Sequence, residues 1–421
     1  MASFSRILSP VSSDRLAPAT ILLLASLYCA QGLPSGLLAH TLPALMRQQG
    51  VSLEVIGLLK LLALPWVLKV LWAPWVDRLA SARLGHRRGW ILPLQALVVG
   101  LLALLALQPS TFLFTDSLWL LLLLVLLINL AAATQDIATD GLAVTLVPPR
   151  WRGLGNSLQV GGYKVGMLLS GSLLLVLIDQ IGWAPGIGGL ALLVALLTVP
   201  IFRFREPVQP RAAGDRTEPG GLTLIWRSYR DFLQQPNILP WLLVVLTFKL
   251  GDALGSPMIK PMLVDQGWSL TAIGTLTLVA SIAGIGGAVV GGLAYARLGA
   301  MCSLLLFGVL QAAGLLAWVL VAGTGAPLLA TYAVALFEQI ADGMSTVALF
   351  AVMMNQCRPG HEGADYTAQA CAQVVLGGLI GGLSGFSANQ LGFGAHFMVA
   401  GVLALVALGL VWRYFQHRAP V

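Results

Sequence analysis

The segment Ala131–Asn156, AAATQDIATDGLAVTLVPPRWRGLGN, decides the fold. It follows an apolar run, Leu118–Leu130, that only Asn129 interrupts. Asp136 and Asp140 therefore fall on one expected membrane helix. Four residues apart, they share a helical face, one turn from each other. Asn129, seven residues before Asp136, joins that face. An isolated charge at bilayer depth costs roughly 2.5–3.5 kcal/mol on insertion scales. Such groups persist where they face a bundle interior or a water-filled cavity and find a partner. This face is expected to line a path across a membrane.

Composition agrees. The 421 residues are 57% apolar and 10% charged, with a mean hydropathy of +0.86. Soluble domains carry about a quarter charged residues. The expectation is a polytopic protein embedded in a lipid bilayer, with no separate soluble domain. The start, MASFSRILSPVSSDR, is polar and short, so no cleavable signal is expected and the first apolar run reads as a spanning helix. The cysteines Cys29, Cys302, Cys357 and Cys371 are scattered without a CxxC, which argues against metal or redox use; no cofactor is expected.

Windows of about 20 apolar residues give an all-α membrane protein with twelve transmembrane helices in two six-helix halves. The expected spans are 19–45, 53–77, 90–107, 118–146, 153–178, 182–202, 237–262, 270–296, 299–322, 327–356, 365–388 and 395–412. With both termini in the cytoplasm, every arginine except Arg47 falls on the cytoplasmic side, as the positive-inside rule requires. The net charge of +7 thus belongs to loops, and it is no signal of nucleic-acid binding. The stretch RFREPVQPRAAGDRTEPGG, rich in Pro, Gly and charge, marks a cytoplasmic linker at 203–236. It divides an N-terminal half, 1–202, from a C-terminal half, 237–421. Gln49–Gly57, QGVSLEVIG, and Gln266–Gly274, QGWSLTAIG, match at equivalent places in the two halves and mark a parallel repeat.

All five lysines, Lys60, Lys69, Lys164, Lys249 and Lys260, lie inside expected spans. Lys260 is expected to snorkel to the interface. Lys164 and Lys249 stand too deep for that, which assigns them a buried role. In the first span, Tyr28, Gln31 and Ser35 have helical spacing and can present a substrate-lining face. Gly32, Pro34 and Gly36 beside them fit equally a packing notch for a neighbouring helix. The repeat places Lys249 and Asp252 at the equivalent level of the seventh span, three apart and able to pair with each other. Trp66 and Lys69 can offer a ring and a cation to an anionic or aromatic ligand, and Asn129 adds an amide. Lys164 lies as far from the cytoplasmic end of its helix as Asp136 does, so a pair between Lys164 and Asp136 or Asp140 is expected. Glu338 and Asp342 repeat the acid spacing on the tenth span. One or more of Asp136, Asp140, Glu338 and Asp342, with Lys164, is expected to couple transport to protons; static pairing is the plainer alternative. Asp77 and Arg78, then Gly85, His86, Arg87 and Arg88, form a turn that can latch an inner gate. The matching turn of the second half has only Arg297.

The runs LYCAQGLPSG (27–36), SLEVIGLLKLLALPWVLKVLWAPWVDR (52–78), ATQDIATDGLAV (133–144) and RGLGNSLQVGGYKVGMLLSG (152–171) carry a family resemblance. They resemble the AmpG-like muropeptide-permease branch of the major facilitator superfamily, and within it the rhizobactin and pyochelin siderophore importers. The resemblance is strong over 27–171 and mostly topological beyond the linker. It implies the major facilitator fold and a monomer in the bacterial inner membrane. It also implies import of a small molecule from periplasm to cytoplasm by proton symport. The motif positions are Gln31, Pro34, Lys69, Trp72, Asp77, Asp136, Asp140 and Lys164. A ferric siderophore is the first expected cargo and an anhydro-sugar peptide the second. No enzyme is expected, because His40, His86, His361, His396 and His417 all lie near helix ends or loops, away from Asp136.

Overall fold

The computed structural model describes residues 16–79, 81, 84–206, 221–323 and 326–416. Arg6, Arg15, Arg83, Arg211, Arg216, His417 and Arg418 lie outside the described residues. Among the described residues, nine helices are long and apolar enough to cross a membrane. We label them with two further elements in chain order: α1 (Pro18–Gln48), α2 (53–78), α3 (Arg88–Leu107), α4 (Leu118–Leu146), α5 (Pro149–Ile181), α6 (Trp183–Arg203), α7 (Leu222–Leu233), α8 (Ile238–Asp265), α9 (Leu270–Val321), α10 (Leu328–Asn355) and α11 (Glu362–Gln416). Backbone angles leave the helical region at Gly299 inside α9 and at Gly392 inside α11.

The repeated nine-residue motif folds as the same punctuation twice. Gly50 and Gly267 take φ of +81° and +83°, a left-handed conformation that residues with a β-carbon rarely adopt. The next amide reaches back to close the helix end, Val51 to Met46 O at 3.0 Å and Trp268 to Leu263 O at 3.0 Å. Two residues after each glycine a serine caps the following helix. Ser52 Oγ accepts from Val55 N, and Ser269 Oγ accepts from Ala272 N. Sequence identity here encodes a helix stop and a helix start.

Segment α2 departs from a continuous helix. It alternates short α and 3-10 turns, Leu53–Leu58, Leu59–Ala63, Leu64–Leu68, Lys69–Leu71 and Ala73–Arg78. Pro65 and Pro74 explain part of this, since neither supplies an N–H to the ladder. The Val70 carbonyl, which Pro74 cannot serve, accepts instead from the hydroxyl of Tyr229 on α7. The expected linker therefore contains a helix. Its Leu224, Ser228 and Phe232 are buried, while Trp226 is 70% exposed on the other side.

Helices α1 and α5 pack through glycine. A β-carbon on Gly32 would fall 2.1 Å from Tyr163 O, and one on Gly166 would fall 2.2 Å from Cys29 O. The packing notch read from Gly32 and Gly36 is real, and it leaves Tyr28 and Ser35 free to turn inward. Apolar clusters fill each group, for example Leu33, Leu121, Ile128 and Leu190 in the first half of the chain, and Met262, Leu276, Trp318 and Phe397 in the second. Large apolar side chains such as Leu192, Leu320 and Leu329 point outward, as in a protein solvated by lipid.

Candidate functional site

Contacts between α1–α6 and α8–α11 concentrate at one end. There Arg87, just before α3, pairs with Asp77 at the foot of α2 and, at 3.0 Å, with Glu362 at the start of α11. Asp77 also accepts from the Gly363 and Ala364 amides at 3.1 and 2.6 Å, using the unsatisfied N–H groups of α11. Burial alone would disfavour the Arg87 charge; Asp77 and Glu362 outweigh it and raise its pKa. Arg152 Nη1 donates to Asn355 Oδ1 at 2.6 Å, and Ser157 Oγ donates to Ala288 O at 2.6 Å. Asp77 and Arg87 thus sit where a latch is expected. Arg88 does not. Its amide and that of Arg87 bind Glu206 at the start of the linker, and its guanidinium binds Phe202 O, so neither contact reaches the second half. Arg78 closes the last turn of α2. Glu362 and Glu206 went unnoticed in sequence, where each is one acid in a charged loop.

Above the seal, α4 presents its polar face to α2. Asp136 forms a salt bridge with Lys69, the two side chains only 9% and 7% exposed. Trp66 Nε1 donates to Asn129 Oδ1 at 3.1 Å, and Trp72 Nε1 donates to Thr134 Oγ1 at 3.1 Å. Asp140 accepts from Tyr28 OH and from Gln159 Nε2, each at 3.0 Å. Tyr366 of α11 donates to Gln159 Oε1 at 3.0 Å, so a chain of hydrogen bonds joins the second half to the buried acid. Ser35 accepts from Tyr163 OH at 2.8 Å. Gln31 is buried with its Nε2 unpartnered. The expected pair between Lys164 and Asp136 or Asp140 is absent. Equal depth does not fix azimuth. Lys164 lies on the side of α5 that carries Gly153, Ser157 and Gly161 toward α9. Nor does Lys69 offer a free cation to a ligand, because Asp136 takes its charge and the Trp66 ring lies 5.5 Å from its Nζ.

In the second half, Lys249 Nζ donates to Asp342 Oδ1 at 2.6 Å, Ser345 Oγ at 3.0 Å and Gln311 Oε1 at 3.1 Å. The expected Lys249–Asp252 pair gives way to this one. Asp252 instead accepts from Ser256 Oγ at 2.7 Å. Glu338, 1% exposed, has no cation within 4 Å among the described residues and accepts from Gln339 Nε2 at 3.0 Å. Both halves thus tie a lysine to an aspartate of α4 or α10, though the lysines come from non-equivalent places, α2 and α8. A cavity of about 390 Å³ opens beside Lys249, Asp252 and Asp342, bounded further by Thr346, Phe350 and Gln373. Gln159, Gln311, Ser345 and Tyr366 were missed in sequence. Gln159 and Gln311 carried the same signal as Asn129, an amide in an apolar run. Among the described residues no group of three or more His, Cys, Asp or Glu could hold a metal ion.

Known proteins give this arrangement its context. The Major Facilitator Superfamily profile matches residues 24–382. The anhydromuropeptide permease of Escherichia coli K12 is 31% identical over 390 residues, 91% of this chain and 77% of that protein. A putative transporter of Rickettsia conorii, AmpG 4, is 25% identical over 397 residues, 93% of this chain and 95% of that one. The crystal structure of FucP in the outward conformation superposes with a TM-score of 0.71 at 13% identity, covering 97% of this chain and 100% of that one. These relatives overturn the expected ferric-siderophore cargo, since the Escherichia coli protein is named for an anhydromuropeptide and neither is named for a siderophore. The Lys69 cation that with Trp66 was expected to meet an anionic or aromatic ligand is instead paired with Asp136.

Proposed function

This chain belongs to the major facilitator superfamily, in its AmpG-like muropeptide-permease branch, and on that premise we propose that it carries an anhydro-sugar peptide across the bacterial inner membrane. It is a multi-pass membrane transporter. In our reading it crosses twelve times: the nine long helices, with α9 and α11 each divided at its glycine, plus the broken α2. Six crossings precede the linker at 203–236 and six follow, with both termini cytoplasmic.

The observation that carries the cargo assignment is the 31% identity to the anhydromuropeptide permease over nearly the whole chain. The geometry supports transport by alternating access. One end is closed by Asp77, Arg87 and Glu362, and a polar cavity lies beyond it. The sealed end is the cytoplasmic one under the arginine orientation, so the chamber faces outward. Coupling to protons falls in this reading to Asp136, Asp140, Glu338 and Asp342. Substrate contacts fall to Tyr28, Gln31, Ser35, Asn129 and Asp252 around the chamber.

The test is uptake of labelled anhydromuropeptide into proteoliposomes holding the full chain, with and without an imposed proton gradient. Saturable accumulation that collapses with an uncoupler is expected. Uptake no greater than in empty liposomes would reject the assignment.

A further inference from the structure

The five lysines divide into three groups. Lys60 and Lys260 are exposed. Lys69 and Lys249 are buried, each on an aspartate. Lys164 fits neither group. It is partly buried, yet among the described residues it has no carboxylate within 4 Å and no hydrogen bond to the protein. Asp342 lies near enough to feel its charge but is already held by Lys249. A partly buried cation in a membrane protein, sharing its nearest acid with a second lysine, is expensive, and such groups mark substrate or ion paths.

Its place in the packing says what it faces. The seam between the halves climbs one side of α5. Gly153 packs on Gly292 and Tyr295, Ser157 on Ala288 and Gly292, and Gly161 on Ile285. Lys164 is the next step, with its Nζ against Gly284. A β-carbon on Gly284 would stand 3.2 Å from that nitrogen and 3.4 Å from Gln339 Oε1. Among the described residues, no hydrogen bond from α5 beyond Lys164 reaches the second half. Lys164 thus stands at the end of this seam, partly buried and close to Asp342 on the wall of the neighbouring cavity. The neighbouring cavity carries Asp252 and Asp342 on its wall, and these repel a carboxylate while they suit hydroxyl and amide donors.

We propose that Lys164 receives a carboxylate of the substrate, while the sugar hydroxyls and amides face the acid-lined cavity of α8, α10 and α11. This rests on the anhydro-sugar peptide reading above. The ammonium is a compact donor that a carboxylate can reach from the chamber, and Gly284 keeps its approach clear. A loaded Lys164 also places an anion on the seam that joins the two halves.

The test uses purified full-length protein and two probes, an anhydromuropeptide with free peptide carboxylates and the same molecule with those carboxylates amidated. Wild type is expected to bind the acid about tenfold or more tightly than the amide. Lys164→Gln and Lys164→Met are expected to bind both at the amide's level, and Lys164→Arg to keep much of the preference. Saturable binding of both probes by wild type without preference overturns the proposal and leaves the cargo assignment standing. So does a full preference retained in Lys164→Gln or Lys164→Met. Saturable binding of neither probe overturns the cargo assignment itself. The wild-type comparison decides the matter even where a neutral variant fails to fold.

Discussion

Consider the replacement of Lys69 by Met. The change removes one member of a pair whose side chains are 7% and 9% exposed. Asp136 is left as a buried acid with no other basic partner among the described residues, and the Trp66 indole beside Lys69 is engaged with Asn129. Breaking a buried pair by removing one partner costs about 3–5 kcal/mol, because the survivor remains desolvated. The surface pair Arg230–Asp231, with side chains 51% and 50% exposed, calibrates the opposite limit, where about 0–1 kcal/mol is expected. The assay is a double-mutant cycle on detergent-purified protein, read by reversible unfolding, with Lys69→Met, Asp136→Leu and both together. Each single variant should lose stability heavily, and the double variant should recover most of it, since two apolar groups replace a pair without leaving a charge behind. A parallel cycle with Lys164→Met and Asp136→Leu should be additive, because these residues do not touch. If the first cycle is additive within about 0.5 kcal/mol, the pair does no energetic work and the site as described is wrong. Strong coupling in the second cycle would restore the pairing that depth alone suggested.

Three further outcomes are expected. Asp77→Asn weakens the bond to Arg87 and the cap on α11, so a cysteine placed at Ala364 should label faster from the cytoplasmic side; unchanged labelling would remove the latch. Glu338→Gln should abolish uptake driven by a proton gradient while preserving exchange of labelled for unlabelled substrate; unimpaired concentrative uptake would exclude Glu338 from coupling. Gly32→Val should lower the yield of folded protein sharply, because even a β-carbon there falls 2.1 Å from Tyr163 O, and overpacking of this kind costs about 1–3 kcal/mol or more. Normal yield and melting temperature in Gly32→Val would show that α1 and α5 do not meet as described.

How much of this was legible in the chain depends on what each signal encodes. Span positions were readable in part, because apolar length sets them: α4 falls at 118–146 as expected, while 270–296 and 299–322 lie inside one element, α9, and among the described residues nine helices, not twelve, are long and apolar enough. The repeat was readable too, since Gly50 and Gly267 with Ser52 and Ser269 carry their own turn chemistry locally. Pairing was not. An i, i+4 rule fixes which residues share a face, so Asp136 and Asp140 came out on one side of α4. It says nothing of which neighbouring helix that side meets. Lys69 and Lys164 were equally available by depth. The choice turned on the broken geometry of α2, which sets Trp66, Lys69 and Trp72 against α4, and on the glycines of α5, which draw Lys164 toward α9. The cargo was the least legible feature, because a lysine beside a tryptophan reads alike whether it greets an anion or holds a buried aspartate.

The placement of the acids bears on how the seal is governed. Asp77, Arg87 and Glu362 close the end, but the hydrogen bond from Tyr366 to Gln159 crosses the seam one level higher and terminates on Asp140. In the proposed cycle, opening the sealed end would draw α11 from α5 and strip Gln159 of its Tyr366 donor. Gln159 then holds Asp140 alone with Tyr28, inside a space that water can enter. In the proposed cycle the state of Asp140 and the closure of the seam are therefore linked through two named bonds, without any motion having to travel the length of the molecule. Tyr366→Phe deletes only the crossing hydroxyl, leaves Gln159 and Asp140 in place, and should favour the inward-open state; spin labels flanking the sealed end should report a longer mean distance. If the distance distribution matches wild type, the acid and the seam are independent, and coupling has to be sought around Glu338 and Asp342 instead.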